Sequence, residues 1–346
     1  MSELGIREAL SRVIERRDLT SDEMASVVGE IMDGKATQAQ VGALLAALRM
    51  KGETVDEVVG AARAMRSRMT RVDFAGDPMI DLCGTGGDGS RSINVSTIAA
   101  FVVAGAGVAV PKHGNRAQSS QSGAHDVIEA LGLNPATTPE LSVRCLQEAK
   151  LAFLFAPAHH AATKHVVGPR KEVGFRTLFN LLGPLTNPSG VRVHVNGIFA
   201  RERCELLAKA HGALGSTRAL VIHGAGGLDE FAPAGSTFVA ELEGGKVKTY
   251  EVRPADFGLT DSDPAGLAGG TPADNARVAL DVLAGKGPEA ARSAVVMTAA
   301  AALYTSGAAP DLKTAAGRAT EVLAGGGAMG VLERLRKIAP RPTPAS

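Results

Sequence analysis

The segment Asp81-Leu82-Cys83-Gly84-Thr85-Gly86-Gly87-Asp88-Gly89 follows the apolar pair Met79-Ile80 and precedes Asn94-Val95-Ser96-Thr97 and the apolar run Ile98 to Val103. It reads as a strand that turns through a glycine loop into a buried helix. Four glycines between positions 84 and 89 leave the backbone free for positive φ and let a ligand approach N–H groups with no Cβ in the way. The helix adds unpaired first-turn N–H groups and the positive end of its dipole, which together make a phosphate cradle. As a bare pattern, Gly84-x-Gly86-x-x-Gly89 also meets the dinucleotide fingerprint, and an ordinary strand-to-helix turn can produce it too. The dinucleotide fold wants an acidic residue after the next strand. Here the next apolar run, Val108 to Pro111, ends in Lys112-His113-Gly114-Asn115-Arg116, and such cations suit a second phosphate better than a neutral sugar. Asp88 beside a phosphate is repelled unless a cation lies between them, so the loop also points to bound metal.

Around this segment the hydrophobic pattern changes period. Before it, Ile6, Leu10, Val13 and Ile14 share one helical face, and three capping boxes follow, Thr20-x-x-Glu23, Thr37-x-x-Gln40 and Thr54-x-x-Glu57, each opening an amphipathic helix. From Asp77 short apolar runs alternate with helical stretches, the mark of an α/β sheet. The strands expected are Met79 to Leu82, Val108 to Pro111, Ala152 to Phe155, Val193 to Phe199 and Ala219 to His223. Helices are expected at about Ser122 to Leu131, Pro139 to Lys150, Arg201 to Leu214, Asp274 to Leu283 and Pro288 to Tyr304, with a hairpin turning at Gly244-Gly245. The predicted fold class is therefore α/β, with short helices over the first 70 residues and strands alternating with helices from Asp77.

Composition narrows the partners. A net charge of +1 over 346 residues argues against nucleic acid, which usually leaves a basic excess. No stretch supplies the roughly 20 apolar residues of a membrane helix, and Met1 to Asp18 has no apolar core of signal-peptide length. The three cysteines, Cys83, Cys145 and Cys204, show no ligand spacing and read as small apolar fillers in a reducing compartment. A cytoplasmic protein is expected.

Two further groups can carry chemistry. Asp229-Glu230 follows Gly224-Ala225-Gly226-Gly227 at the end of a strand, where ligands bind in open sheets, and offers hard oxygens to Mg²⁺. Taken alone the pair also fits a solvated loop. Arg170, in a segment too apolar for a pure surface loop, is either a fork for a carboxylate or a surface cation. The adjacent His159 and His160 point apart on a helix, with no third ligand in register.

Taken together, Gly84-Thr85-Gly86-Gly87-Asp88, Asn94 to Thr97, Lys112-His113-Gly114-Asn115-Arg116, the stretch from Arg176 to Pro188 and Asp229-Glu230 resemble the anthranilate phosphoribosyltransferase family of tryptophan biosynthesis. Nucleoside phosphorylases look like relatives in fold only. The resemblance implies that Gly84, Gly87, Asp88, Ser92, Asn94, Val95, Ser96 and Thr97 bind phosphoribosyl pyrophosphate. Lys112, His113, Gly114, Asn115, Arg116, Ala117, Gln118, Ser119 and Ser120 would form the other wall of that site, and Ala124 would adjoin it. It further implies two Mg²⁺ ions, one held by Ser96 with Glu230 and one by Asp229 with Glu230. Asn115 and Arg170 would meet anthranilate. The fold that the resemblance implies is a small all-helical domain over residues 1–72 beside a larger α/β domain over residues 73–346 with a central mixed sheet flanked by helices, and a homodimer would form through the helical part, which walls one side of the cleft.

The chain departs from the family at Ala124, where a serine hydroxyl is usual; the start of the helix there and His125 are expected to compensate. Ala161, Thr163 and the displaced Pro169 alter the acceptor side. With no nucleophile beside a base, the implied transfer runs through an oxocarbenium-like state stabilised by position and charge. The rival readings are an NAD(P)-dependent dehydrogenase built on the glycine pattern, a nucleoside phosphorylase and a non-catalytic nucleotide sensor.

Overall fold

Threonine caps set the helices at the start of the chain. In the computed structural model, which describes residues 4–86, 89–116 and 121–342, α1 (Ile6–Ile14) precedes α2 (Ser21–Met32), α3 (Gln38–Lys51) and α4 (Val55–Arg66). Thr20, Thr37 and Thr54 each accept from the N–H three residues on, and Glu23, Gln40 and Glu57 return the bond. Glu57 does more than cap. Fully buried, it takes the Leu19 N–H at 3.1 Å and Lys51 Nζ at 3.0 Å, which ties α4 to the entry of α2. The two helices cross at Gly60, where a Cβ would lie 2.3 Å from Ser21 O.

The second part of the chain builds one mixed sheet. Strands β1 (Asp81–Leu82), β2 (Val110–Gly114), β3 (Leu151–Phe155), β4 (Val193–Gly197) and β5 (Arg218–Gly224) run parallel to their neighbours, and β6 (Thr237–Glu243) and β7 (Lys246–Val252) add antiparallel edges. The ladder order is β1-β4-β5-β6-β7, and the β2-β3 pair joins it through the Met79–Ala109 bridge. The hairpin turns at Gly244 and Gly245, whose φ values of 57° and 76° suit a two-residue loop between twisted strands. The helices of this part are α5 (Val95–Gly105), α6 (Ala124–Ala130), α7 (Pro139–Ala149), the short α8 (Ala156–His159), α9 (Lys164–Val173), α10 (Phe179–Leu182), α11 (Cys204–Ala213), α12 (Pro272–Leu283), α13 (Glu289–Thr305), α14 (Leu312–Ala324) and α15 (Gly327–Ile338); α5, α7, α11 and α13 pack on the strands, while α9 packs on α2 and α3.

Helix α5 is buried almost all round, from Val95 to Ala104, because α13 and α15 cover the sides that the sheet leaves open. That is what a helix with no polar face requires. The period of two on β5 divides the core. Leu220 and Ile222 join the cluster around α5 and α13, while Val221 joins a second cluster that runs from α1–α4 through Val166 and Leu182 to Leu207 on α11.

Four expectations shift. The strand expected from Met79 pairs as a ladder only over Asp81–Leu82, and β4 stops at Gly197 rather than Phe199. Strand β2 continues through Gly114, so Lys112 and His113 lie buried within it rather than beyond its end. Helix α6 starts at Ala124, with Gly123 at its cap.

Candidate active site

The site forms at the carboxyl ends of β1, β2, β4 and β5, and β4 is its template. Val195 O accepts from Cys83 N (3.2 Å) and Gly197 O from Thr85 N (2.9 Å), while Phe199 N donates to Thr85 Oγ1 (3.3 Å). The acidic segment after β5 crosses directly over Gly197, where a Cβ would lie 1.5 Å from Asp229 O. Only glycine leaves room for that crossing. Thr85 and Gly197 were not among the residues expected at the site, although a glycine inside a strand does signal close backbone approach.

The loop and the carboxylates meet. Gly86 N donates to Asp229 Oδ2 at 2.8 Å, and a Cβ on Gly84 would stand 2.9 Å from the same oxygen. Ser96 N, in the first turn of α5, donates to Glu230 Oε1 at 3.2 Å. The first-turn N–H groups of α5 are thus not open, as the sequence reading had them: Val95 N is taken by Ile93 O, Ser96 N by Glu230 and Thr97 N by Asn94 O. A carboxylate at the positive end of a helix is electrostatically at home, and it sets Glu230 beside the Ser96 side chain.

Lys112 reaches under this arrangement from β2. Its Nζ donates to Leu82 O and, at 3.2 Å, to Ser96 Oγ, bringing a buried positive charge to the base of the cradle. Asp81, also buried, takes the His113 N–H at 3.1 Å; burial lifts its carboxyl to about 6, against the pull of Asn187, Lys112 and that N–H.

Other expected residues are placed less directly. Ser92 bridges Ala268 and bonds with Ser90. Asn94 spends its amide on Ser122 O (3.2 Å) and Asn275 (3.0 Å); Asn275 is a third residue that sequence reasoning missed. Asn115 Oδ1 caps Arg116 N (2.8 Å), and the exposed Arg116 pairs with Asp126 and Glu129 at 2.8 and 2.9 Å. Gly87, Asp88, Ala117, Gln118, Ser119 and Ser120 lie outside the described residues.

Ala124 begins α6, two residues later than expected, and His125 turns its ring toward Phe155 rather than to the cradle. Its ring is fully buried, 4.8 Å from the Phe155 ring and packed under Gly114, and neither ring nitrogen has a partner among the described residues. The apolar surface of Phe155 outcompetes a polar role for the ring.

On the acceptor side, half-buried Arg170 lies over the Phe179 ring at 5.7 Å and has no ion-pair partner among the described residues, and burial lowers its pKa. Arg176 stacks on Phe199 at 4.1 Å. His113 Nδ1 donates to Gly183 O (3.1 Å), and its ring meets His160 edge-on at 5.2 Å.

Among the described residues no three His, Cys, Asp or Glu side chains form a metal cage. The oxygens here are two carboxylates and a hydroxyl, a partial set that suits a hard cation completing its shell from substrate phosphate and water. The residues fit Mg²⁺.

The buried imidazoles give the fold a pH dependence. Burial is the main cause that lowers His125 and His194 to about 3 and His160 to about 4, and that pushes His113 and His211 well below the usual value. Below about pH 6.5 the unfolded chain takes up protons that these folded rings refuse, so their contribution is complete above that value and is lost as pH falls. Each ring withdraws up to about 1.4 kcal/mol per pH unit. Asp81 acts oppositely between 3.8 and about 6, but it is one group against several. The thermal midpoint is expected to fall steeply between about pH 6 and 4; a midpoint that stays level across that window would show that the rings are not buried as neutral groups.

A helical bundle docked on an α/β layer, with a glycine loop and an acidic pair at the strand ends, defines a class. Residues 7–69 match the helical bundle domain of a glycosyl transferase family, and residues 76–329 match its a/b domain. The anthranilate phosphoribosyltransferase of Anaeromyxobacter sp. (strain K) is 51% identical over 335 residues, 96% of this chain and 97% of that protein. The crystal structure of the Thermus thermophilus enzyme of the same name aligns with a TM-score of 0.91 at 39% identity, covering 95% of this chain and 98% of its own. Two structures of the Saccharomyces cerevisiae enzyme, one in complex with PRPP and Mg and one with 4-fluoroanthranilate, align with TM-scores of 0.87 and 0.84 at 28% and 26% identity. Each covers 96% of this chain, and 97% and 98% of its own. The chain belongs to the anthranilate phosphoribosyltransferase family. The dehydrogenase, phosphorylase and sensor readings fall with that assignment.

Proposed function

We propose that this chain transfers the phosphoribosyl group of 5-phosphoribosyl 1-pyrophosphate to anthranilate, giving N-(5-phosphoribosyl)anthranilate and pyrophosphate, a step of tryptophan biosynthesis. The observation that carries the reading is the meeting of the glycine loop, buried Lys112 and the Asp229-Glu230 pair at one end of the sheet. The anthranilate amine bonds to the anomeric carbon as the bond from that carbon to the pyrophosphate oxygen breaks. The chain contributes position and charge. The glycine loop and Lys112 hold the donor, and Asn115 and Arg170 orient the acceptor in front of it. When bound, Mg²⁺ neutralises the leaving pyrophosphate. Ser96 with Glu230, and Asp229 with Glu230, are the pairs that would hold two ions.

A homodimer through the helical body belongs to the same reading. Ile14, Met50, Val167 and Phe175 are exposed large apolar side chains on or beside α1, α3 and α9, which supports it. Among the described residues no helix is long and apolar enough to cross a membrane, and a cytoplasmic location completes the proposal.

The test is anthranilate fluorescence, which should disappear only when protein, phosphoribosyl pyrophosphate and Mg²⁺ are all present. Persistence of the signal with folded protein would refute the reading. Arg170→Ala is expected to raise the acceptor KM about tenfold or more, because a hydrogen bond to a charged group is worth roughly 1.5 to 3 kcal/mol. The donor KM should stay as it is. Loss of donor affinity with an unchanged acceptor KM would place Arg170 elsewhere.

A further inference from the structure

Beneath the loop runs a buried polar chain that the reaction chemistry does not require. Asn196, on the face of β4 that looks toward α11, donates from Nδ2 to Cys83 O at 3.0 Å. Its Oδ1 lies 2.7 Å from His211 Nε2, and His211 Nδ1 lies 3.2 Å from Ser216 Oγ. A carbonyl can only accept, so the direction of every bond is set from the Cys83 end. Asn196 gives its amide N–H to Cys83, His211 gives Nε2–H to Asn196, and the Ser216 hydroxyl gives its proton to Nδ1. Asn196 and His211 are fully buried, and the His194 ring packs against His211 at 4.3 Å with the two planes tilted by 36°. An asparagine and a histidine between a sheet and a helix otherwise lined by Leu207, Ala208 and Ala210 are costly unless each bond is made.

Cys83 is the last residue before Gly84, where the cradle begins. Val195 O holds its N–H and Asn196 holds its carbonyl. Two residues beyond Gly84, Gly86 N carries Asp229. Gly84 has no side chain with which to fix the entry of the loop, and the Thr85 hydroxyl, which takes the Phe199 N–H, acts one residue further on, so the peptide that launches the loop is held from outside. We infer that Asn196, oriented by His211, is a positioning residue for the donor: it sets the Cys83 peptide and so the angle at which the loop meets the donor phosphates. Neither residue touches a reacting atom.

The inference rests on the loop being the donor cradle, and turnover by the unaltered protein checks that reading separately. Asn196→Leu leaves both His211 Nε2 and Cys83 O without partners. Asn196→Leu combined with His211→Leu leaves Cys83 O and the partly exposed Ser216 hydroxyl, which water can serve, and matched apolar replacement of both partners of a buried bond is close to neutral for stability. The thermal midpoint should therefore fall in the single variant and recover in large part in the double one. The donor KM should stay raised about tenfold in both, with the acceptor KM unchanged. A merely structural pair would instead return the donor KM with the stability. His211→Phe keeps the ring and Asn196 but removes the orienting bond, and should raise the donor KM about threefold. A folded double variant, or a folded His211→Phe, with a normal donor KM overturns the inference. Failure of all three to fold also overturns it, because the chain would then be an element of folding. No turnover in the unaltered protein overturns the functional reading instead.

Discussion

Replacing Asp229 and Glu230 by their amides, Asp229→Asn with Glu230→Gln, is expected to lower turnover about a thousandfold while leaving the fold intact. The amide oxygens keep the shapes that accept from Gly86 N at 2.8 Å and Ser96 N at 3.2 Å, so loop and helix stay where they are. What is lost is charge. Metal-borne stabilisation of a leaving group is worth several kcal/mol, and each ~1.4 kcal/mol is tenfold in rate. The effect is read by titrating Mg²⁺ in steady-state assays and by calorimetric titration of the donor with and without Mg²⁺. In the parent, the cation should tighten donor binding; in the amide pair it should not. A pair variant whose donor affinity still responds to Mg²⁺ as the parent does would remove these carboxylates from the metal site.

Gly197→Ala should be nearly as damaging through a single methyl group. The added Cβ would lie 1.5 Å from Asp229 O and 2.5 Å from its carbonyl carbon, closer than packed atoms can come. Both neighbours are backbone, so no rotamer relieves the clash and either β4 or the acidic segment must move. A displacement near 1 Å at the reacting groups costs roughly a hundredfold in kcat/KM, and forced repacking costs about 1–3 kcal/mol of stability. Gly224→Ala, with a Cβ 2.4 Å from Glu230 O, should act in the same direction. Gly317→Ala is the contrast. That glycine is exposed on α14 with no atom within 4 Å of the added Cβ, and alanine there should stabilise by up to about 1 kcal/mol with activity unchanged. Normal kcat/KM in folded Gly197→Ala would show that β4 does not position the carboxylates.

The damage expected at Gly197 marks the boundary between what was legible in the chain and what was not. The capped helices could be read directly, because Thr20, Thr37 and Thr54 bond to groups three residues away and such bonds are local. The same holds for the hairpin at Gly244-Gly245 and for helix α5 after Asn94. The order of motifs likewise pointed to the family, and Asp229-Glu230 could be suspected of metal chemistry from their place after a strand. The interactions that join these pieces span large separations in sequence. Asp229 meets Gly86 across 143 residues and Asn196 meets Cys83 across 113; no periodicity or spacing encodes such a meeting. Only tertiary structure decided that Glu230 occupies the start of α5, that His125 turns into the core against Phe155, and that Lys112 rises beneath Ser96 from within a strand. In each case competition for buried space and unsatisfied polar groups settles the outcome. That competition exists only once β1, β2, β4 and β5 lie side by side.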